Sequence, residues 1–177
     1  MIDIKSKREI ELMKEACLLT AKVYDYIEKI IKPGMSTLEL DNLAEKFIRD
    51  NDAIPTELGY EGYPASICAS VNDTVVHGIP DDYKLKNGDI ITIDVVIGYK
   101  GYQGDAAWTY AVGEISDEKK YLMEHTEKSL YEGIKEVKPG NHIGDISNAV
   151  ETYARAHNLG VVEELYGHGL GTEMPED

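Results

Sequence analysis

The sequence predicts an α/β chain of the α+β type, built from a duplicated unit of two helices leading to an antiparallel strand pair. Three observations carry this. Two capped amphipathic patterns open the chain, an alternating run with a central turn occupies positions 89–112, and the helical pair recurs 106 residues downstream.

Ser6 followed by Glu9 has the spacing of a capping box. Ile10, Met13, Cys17, Tyr24, Ile27 and Ile31 then fall near helical spacing, which predicts that Cys17 lies in the core, and "KPG" at Lys32–Gly34 stops the run. Ser36 and Glu39 repeat the cap signal for a second helix through Leu40, Leu43, Phe47 and Ile48. The stretch "IKPGMSTLELDNLAEKFIR" from Ile31 is echoed without gaps by "VKPGNHIGDISNAVETYAR" from Val137. The echo pairs Gly34 with Gly140, Asn42 with Asn148, Glu45 with Glu151 and Arg49 with Arg155. A shared helix stop alone would be common; matches on both sides of it favour two copies of one unit. The expected organisation is one domain over 1–177, with a first repeat at about 6–112 and a partial second repeat at about 117–177.

The run "DIITIDVVIGYKGYQGDAAWTY" alternates as a half-buried hairpin does, with Ile91, Ile93, Val95 and Ile97 on one face and Thr92, Asp94 and Val96 on the other. "GYKG" is the turn. Centring it on Tyr99–Lys100 makes Asp94 and Asp105 direct cross-strand partners, and like charges so placed repel. A shared proton, an open solvated face or a bound cation would each relieve them. His77 ends the strand-like run "NDTVV", and His168 sits between glycines that let backbone and ligand approach closely. His125 and His157 lie in helical patterns as solvated side chains, and His142 near a helix start.

Composition bounds the rest. With 177 residues, 42% hydrophobic and 29% charged, the chain can bury one sizeable core. A net charge of −15 argues against nucleic acid and anionic membrane. Two cysteines make no disulfide framework, the N-terminus is charged throughout, and no apolar run approaches the ~18 residues of a membrane span. A soluble cytoplasmic protein is the expectation.

Taken together, "GYEGYPASICASVNDTVVHGIPDD", "GDIITIDVVIGYKGYQGDAAWTYAVG" and "YGHGLG" resemble the type I methionine aminopeptidases along essentially the whole chain. The resemblance implies the pita-bread fold, an internally duplicated domain with helices backing a curved antiparallel sheet. It implies removal of the initiator methionine from nascent polypeptides, using two divalent metal ions (Mn, Fe, Co or Zn). By position, Asp94 would bind one metal, Asp105 would bridge both and His168 would bind the second. His77 would act on substrate as a catalytic residue, and Tyr60, Tyr63 and Cys68 would wall the methionine pocket.

Two departures accompany the resemblance. Pro175 stands where the family has a substrate-contacting histidine, and the family's two metal-binding glutamates fall beyond position 177. A weak second metal site, poor turnover and self-association through an exposed sheet edge are therefore expected of these 177 residues. A proline-directed aminopeptidase of the same fold and a non-catalytic peptide-binding module are the alternatives.

Overall fold

The structure, a computed structural model, describes residues 3–176. The chain divides into two compact units, residues 1–115 with 168–177, and residues 116–167.

In the first unit, helix α1 (Lys7–Ile30) starts at Ser6, whose hydroxyl accepts from the Glu9 amide while the Glu9 carboxylate accepts from the Ser6 amide. Helix α2 (Thr37–Asp50) starts at Ser36, whose hydroxyl accepts from the Glu39 amide. Strands β1 (Ile54–Pro55), β2 (Cys68–Val71), β3 (Asp89–Tyr99) and β4 (Tyr102–Val112) follow. All pairings are antiparallel to β3, which has β4 along one side and β1 and β2 along the other.

The alternation along β3 places Ile91, Ile93, Val95 and Ile97 in the core with Val23 and Ile27 of α1 and Leu40, Ala44 and Ile48 of α2, all fully buried. Each such valine, leucine or isoleucine side chain removed from water contributes about 1.5–3 kcal/mol. The opposite face of the sheet, bearing Thr92, Asp94 and Val96, is free to carry polar chemistry.

The buried stripe of α1 is Ala16, Leu19, Thr20, Val23 and Ile27, and Cys17 is exposed. This overturns the expected core position of Cys17. The cause is Gly104 on β4: a Cβ there would stand 2.4 Å from Thr20 Oγ1 and 2.7 Å from the Ala16 carbonyl carbon. Small residues meet at that crossing, and they rotate the helix so that Ala16 and Thr20 face the strand.

The hairpin turn also differs from expectation. Tyr99 pairs with Tyr102, so the two loop residues are Lys100 (φ 53°) and Gly101 (φ 85°). A two-residue turn with positive φ at both positions suits the twist of the strands, and glycine serves its second position best. The register therefore moves by two. Asp94 faces Ala107 and Asp105 faces Val96. The two acids are diagonal neighbours on one face rather than direct partners.

In the second unit, α3 (Asp117–Lys135) and α4 (Ile143–Ala156) pack together through Gly133, whose Cβ would fall 2.8 Å from Val150 Cγ2. The bounds of α4 are those of α2 displaced by 106 residues, and the paired turn glycines Gly34 and Gly140 share positive φ, 89° and 98°. His142 precedes the first turn of α4 and His157 caps its end. No described helix is long and apolar enough to cross a membrane.

Candidate metal centre

Asp94 and Asp105 project from the hairpin face opposite the core into a cavity of about 700 Å³, which Tyr60, Tyr63, Cys68, His77 and His168 also line. Every candidate named from the sequence reaches this one space. His168 Nε2 stands 3.5 Å from Asp105 Oδ2, and its Nδ1 lies 2.9 Å from the Gly169 carbonyl oxygen. An imidazole hydrogen-bonded through one nitrogen keeps the other nitrogen available as a ligand.

Burial, and after it the Asp105 carboxylate, push the Asp94 carboxyl up to about 6. Burial also raises Asp105, against the pull of His168. Charge is thus disfavoured at both acids, and a cation between them would reverse the balance. Two part-buried carboxylates with an imidazole are donors that suit a divalent transition metal. These residues fit such an ion.

The cavity wall is held by local chemistry. Cys68 begins β2 and is the direct cross-strand partner of Asp94, so its thiol shares the face of the acid. Tyr63 follows a short 3-10 turn over Tyr60–Gly62, and its hydroxyl lies within donating distance of the carbonyls of Ile67 (3.2 Å) and Gly78 (3.0 Å). One phenol therefore ties the pocket wall to the segment bearing His77.

His77 is exposed, with φ 55°, in a loop that leaves β2 at Val71. The apolar run before it is not a strand. The chain turns out of the sheet at Asn72 (φ 48°), whose side chain is engaged by Asp89 and by the Ile90 amide, so Val75 and Val76 are exposed. Gly78 then returns against β2, its carbonyl accepting from the Ala69 amide at 2.7 Å, and a Cβ there would meet Ala69 O at 2.4 Å. Pro175 and Met174 close another side of the cavity.

Asp41 of α2 anchors the approach to β2. Its buried carboxylate accepts from the amides of Ser66 (2.8 Å) and Ile67 (3.0 Å) through one oxygen. Replacing Asp41 with alanine is expected to cost about 1–3 kcal/mol by stranding two buried amides. Asp41→Asn keeps an acceptor and should cost less; equal urea midpoints for the two variants would contradict this anchoring.

Sequence reasoning missed Glu57. It is 6% exposed, lines the same cavity, and among the described residues its Oε2 has no hydrogen-bond partner. Desolvation, then the Asp94 charge, push its carboxyl up to about 9. It stands in the non-periodic segment "PTELGY", where no spacing separates a buried acid from a solvated one.

Comparison with known proteins bears on this centre. The chain is 50% identical over 177 residues to methionine aminopeptidase 1 of Bacillus subtilis (strain 168), covering 100% of this chain and 71% of the relative. It is 46% identical to the methionine aminopeptidase of Clostridium acetobutylicum, with the same coverage. The crystal structure of methionine aminopeptidase from Rickettsia prowazekii superposes with a TM-score of 0.98 at 40% identity, over 100% of this chain and 71% of that one. Prolidase from Pyrococcus furiosus shares the fold at 22% identity, with a TM-score of 0.84, over 98% of this chain and 50% of that one. A profile of metallopeptidase family M24 matches residues 11–177. With its fold, its paired acids and these relatives in agreement, the chain belongs to metallopeptidase family M24.

Proposed function

We propose that this chain is a metal-dependent aminopeptidase domain, spanning 1–177, that removes the N-terminal methionine from new polypeptides in the cytoplasm. The observation that carries the reading is the placement of Asp94 and Asp105 on one hairpin face, with His168 3.5 Å from Asp105, inside a cavity with tyrosine and thiol walls. The relatives at 46–50% identity bear the methionine aminopeptidase name, whereas the prolidase likeness reaches only the fold. That difference disfavours the proline-directed alternative.

In this reading Asp94, Asp105 and His168 would hold the divalent cations, which would supply Lewis-acid polarisation of the first peptide carbonyl and a lowered pKa for water there. The protein's own groups do the remaining work. Asp94 and Asp105 fix where positive charge sits, because both leave one face of a rigid two-stranded ribbon. His77 offers its imidazole to the reacting carbonyl, stabilising charge that develops there. Tyr60, Tyr63 and Cys68 receive the first side chain, and a thioether packs well against aromatic and sulfur surface.

The test is release of free methionine from a Met-Ala-Ser peptide with Mn²⁺ or Co²⁺, beside an Ala-Pro-Ser peptide. Metal-dependent release from the first and little cleavage of the second is the expected result. Faster cleavage of the proline peptide than of the methionine peptide would overturn the assignment.

A further inference from the structure

Glu57, Cys68 and Asp94 form a constellation that the proposed metal pair does not use as a whole. Each offers one ligand atom, and the three atoms lie within 4.8 Å of one another. Around a tetrahedral zinc, ligands at about 2.0–2.3 Å stand roughly 3.3–3.8 Å apart, so closure asks for shifts of about 1 Å. Their placement is not accidental to the fold. Cys68 is the β2 partner of Asp94, and Glu57 follows Thr56, whose amide donates to the Val96 carbonyl at 2.9 Å on the same strand.

Glu57 points to a ligand independently of the clustering. It is more than nine-tenths buried, and among the described residues its Oε2 makes no hydrogen bond, the carboxyl facing the Cys68 thiol. Leaving a buried polar atom unpaired costs about 1–3 kcal/mol, so its retention needs an occupant or a penalty elsewhere.

We propose that Glu57, Cys68 and Asp94 bind a thiophilic divalent cation, Zn²⁺ or Cd²⁺, at a site separate from the Asp105–His168 end of the cavity. It rests on the proposed function only in sharing the Asp94 carboxylate. Three protein ligands with a fourth position open to water is a usual arrangement for zinc. Thiolate selects Zn²⁺ over Mg²⁺ or Mn²⁺, which prefer oxygen. Burial raises both the Glu57 carboxyl and the Cys68 thiol. Binding releases the Cys68 thiol proton to solvent as the metal–sulfur bond forms. A cation here lies beside Tyr63 and Cys68, so it obstructs the space that the first side chain of a substrate would enter.

The experiment is a Co²⁺ titration of the chain carrying Cys17→Ser, which removes the exposed second thiol. A sulfur-to-cobalt charge-transfer band should appear and saturate at one thiolate-bound ion. Zn²⁺ should bleach it and Mg²⁺ should not. Cys68→Ser should abolish the band, and Glu57→Gln should weaken cobalt binding at least about tenfold, as loss of a ligand must exceed loss of an outer-shell partner. Asp105→Asn, which breaks the proposed pair, should leave the band in place. In the unmutated site, Zn²⁺ should also slow the reaction of Cys68 with a thiol reagent, a readout that needs no further variant. Absence of the band at millimolar cobalt, unchanged affinity in Glu57→Gln, or loss of the band in Asp105→Asn would overturn the proposal.

Discussion

Asp94→Asn is expected to lower metal-dependent release of methionine by about 10³-fold or more, because a Lewis-acid contribution of several kcal/mol depends on the cation it holds. The same substitution should stabilise the metal-free protein at neutral pH. The sign follows from the carboxyl itself, which burial and Asp105 raise to about 6 in the folded chain from an ordinary value of 3.8. A carboxyl raised on folding favours the folded state below its unfolded value, and that contribution is lost as pH rises through the folded value. Asparagine does not titrate. The melting temperature of Asp94→Asn relative to the parent should therefore climb between about pH 4 and 6 and flatten above, in the presence of a chelator. Saturating Mn²⁺ should reverse the order at pH 7.5, since a cation that binds only the folded parent stabilises it. A variant that is inactive and less stable at every pH, with or without metal, would mark Asp94 as a structural residue.

How this centre could be read from sequence, and where reading failed, has a physical pattern. Strand periodicity is fixed at two, so the face carrying Asp94 and Asp105 was legible from alternation alone. Which residues oppose each other was not. That depends on the φ signs of Lys100 and Gly101, and a turn centred one residue earlier gives the same faces with a different register. Helix α1 was legible as an element but not in its rotation, because the deciding contact is with Gly104, far along the chain. His77 was found as chemistry and misread as structure: β-branched residues before it resemble a strand, yet Asn72 takes the chain out of the sheet. Glu57 left no trace, since burial of an acid in an irregular segment is set by what folds over it. The rotation of α1 and the burial of Glu57 depend on groups distant in sequence, whereas the hairpin register and the departure at Asn72 depend on backbone φ signs that alternation does not report.

Gly104→Ala is the substitution expected to damage both stability and the centre most for its size. A methyl group at this position would lie 2.4 Å from Thr20 Oγ1, 2.7 Å from the Ala16 carbonyl carbon and 2.8 Å from the Ala16 oxygen. The first contact is with a side chain and can be relieved; the other two are with helix backbone and cannot. Strand and helix must separate, at a cost of about 1–3 kcal/mol for an overpacked core. Asp105 is the next residue, so the movement reaches the acid directly, and Tyr24, whose hydroxyl donates to the Ala106 carbonyl, ties the same stretch of β4 to α1. A displacement approaching 1 Å at a reacting centre costs about 10²-fold in turnover. Gly104→Ala should accordingly lower the urea midpoint and weaken Mn²⁺ binding together, with an unchanged slope of free energy against urea. Adding Thr20→Ala removes the hydroxyl contact, along with the γ-methyl and the bond from Thr20 Oγ1 to the Ala16 carbonyl at 3.1 Å, and should restore no more than part of the midpoint, the backbone contacts remaining. Full restoration by Thr20→Ala would show that the helix backbone has room to spare. A midpoint equal to that of the parent in Gly104→Ala alone would mean that the close crossing of α1 and β4 does not set the position of Asp105.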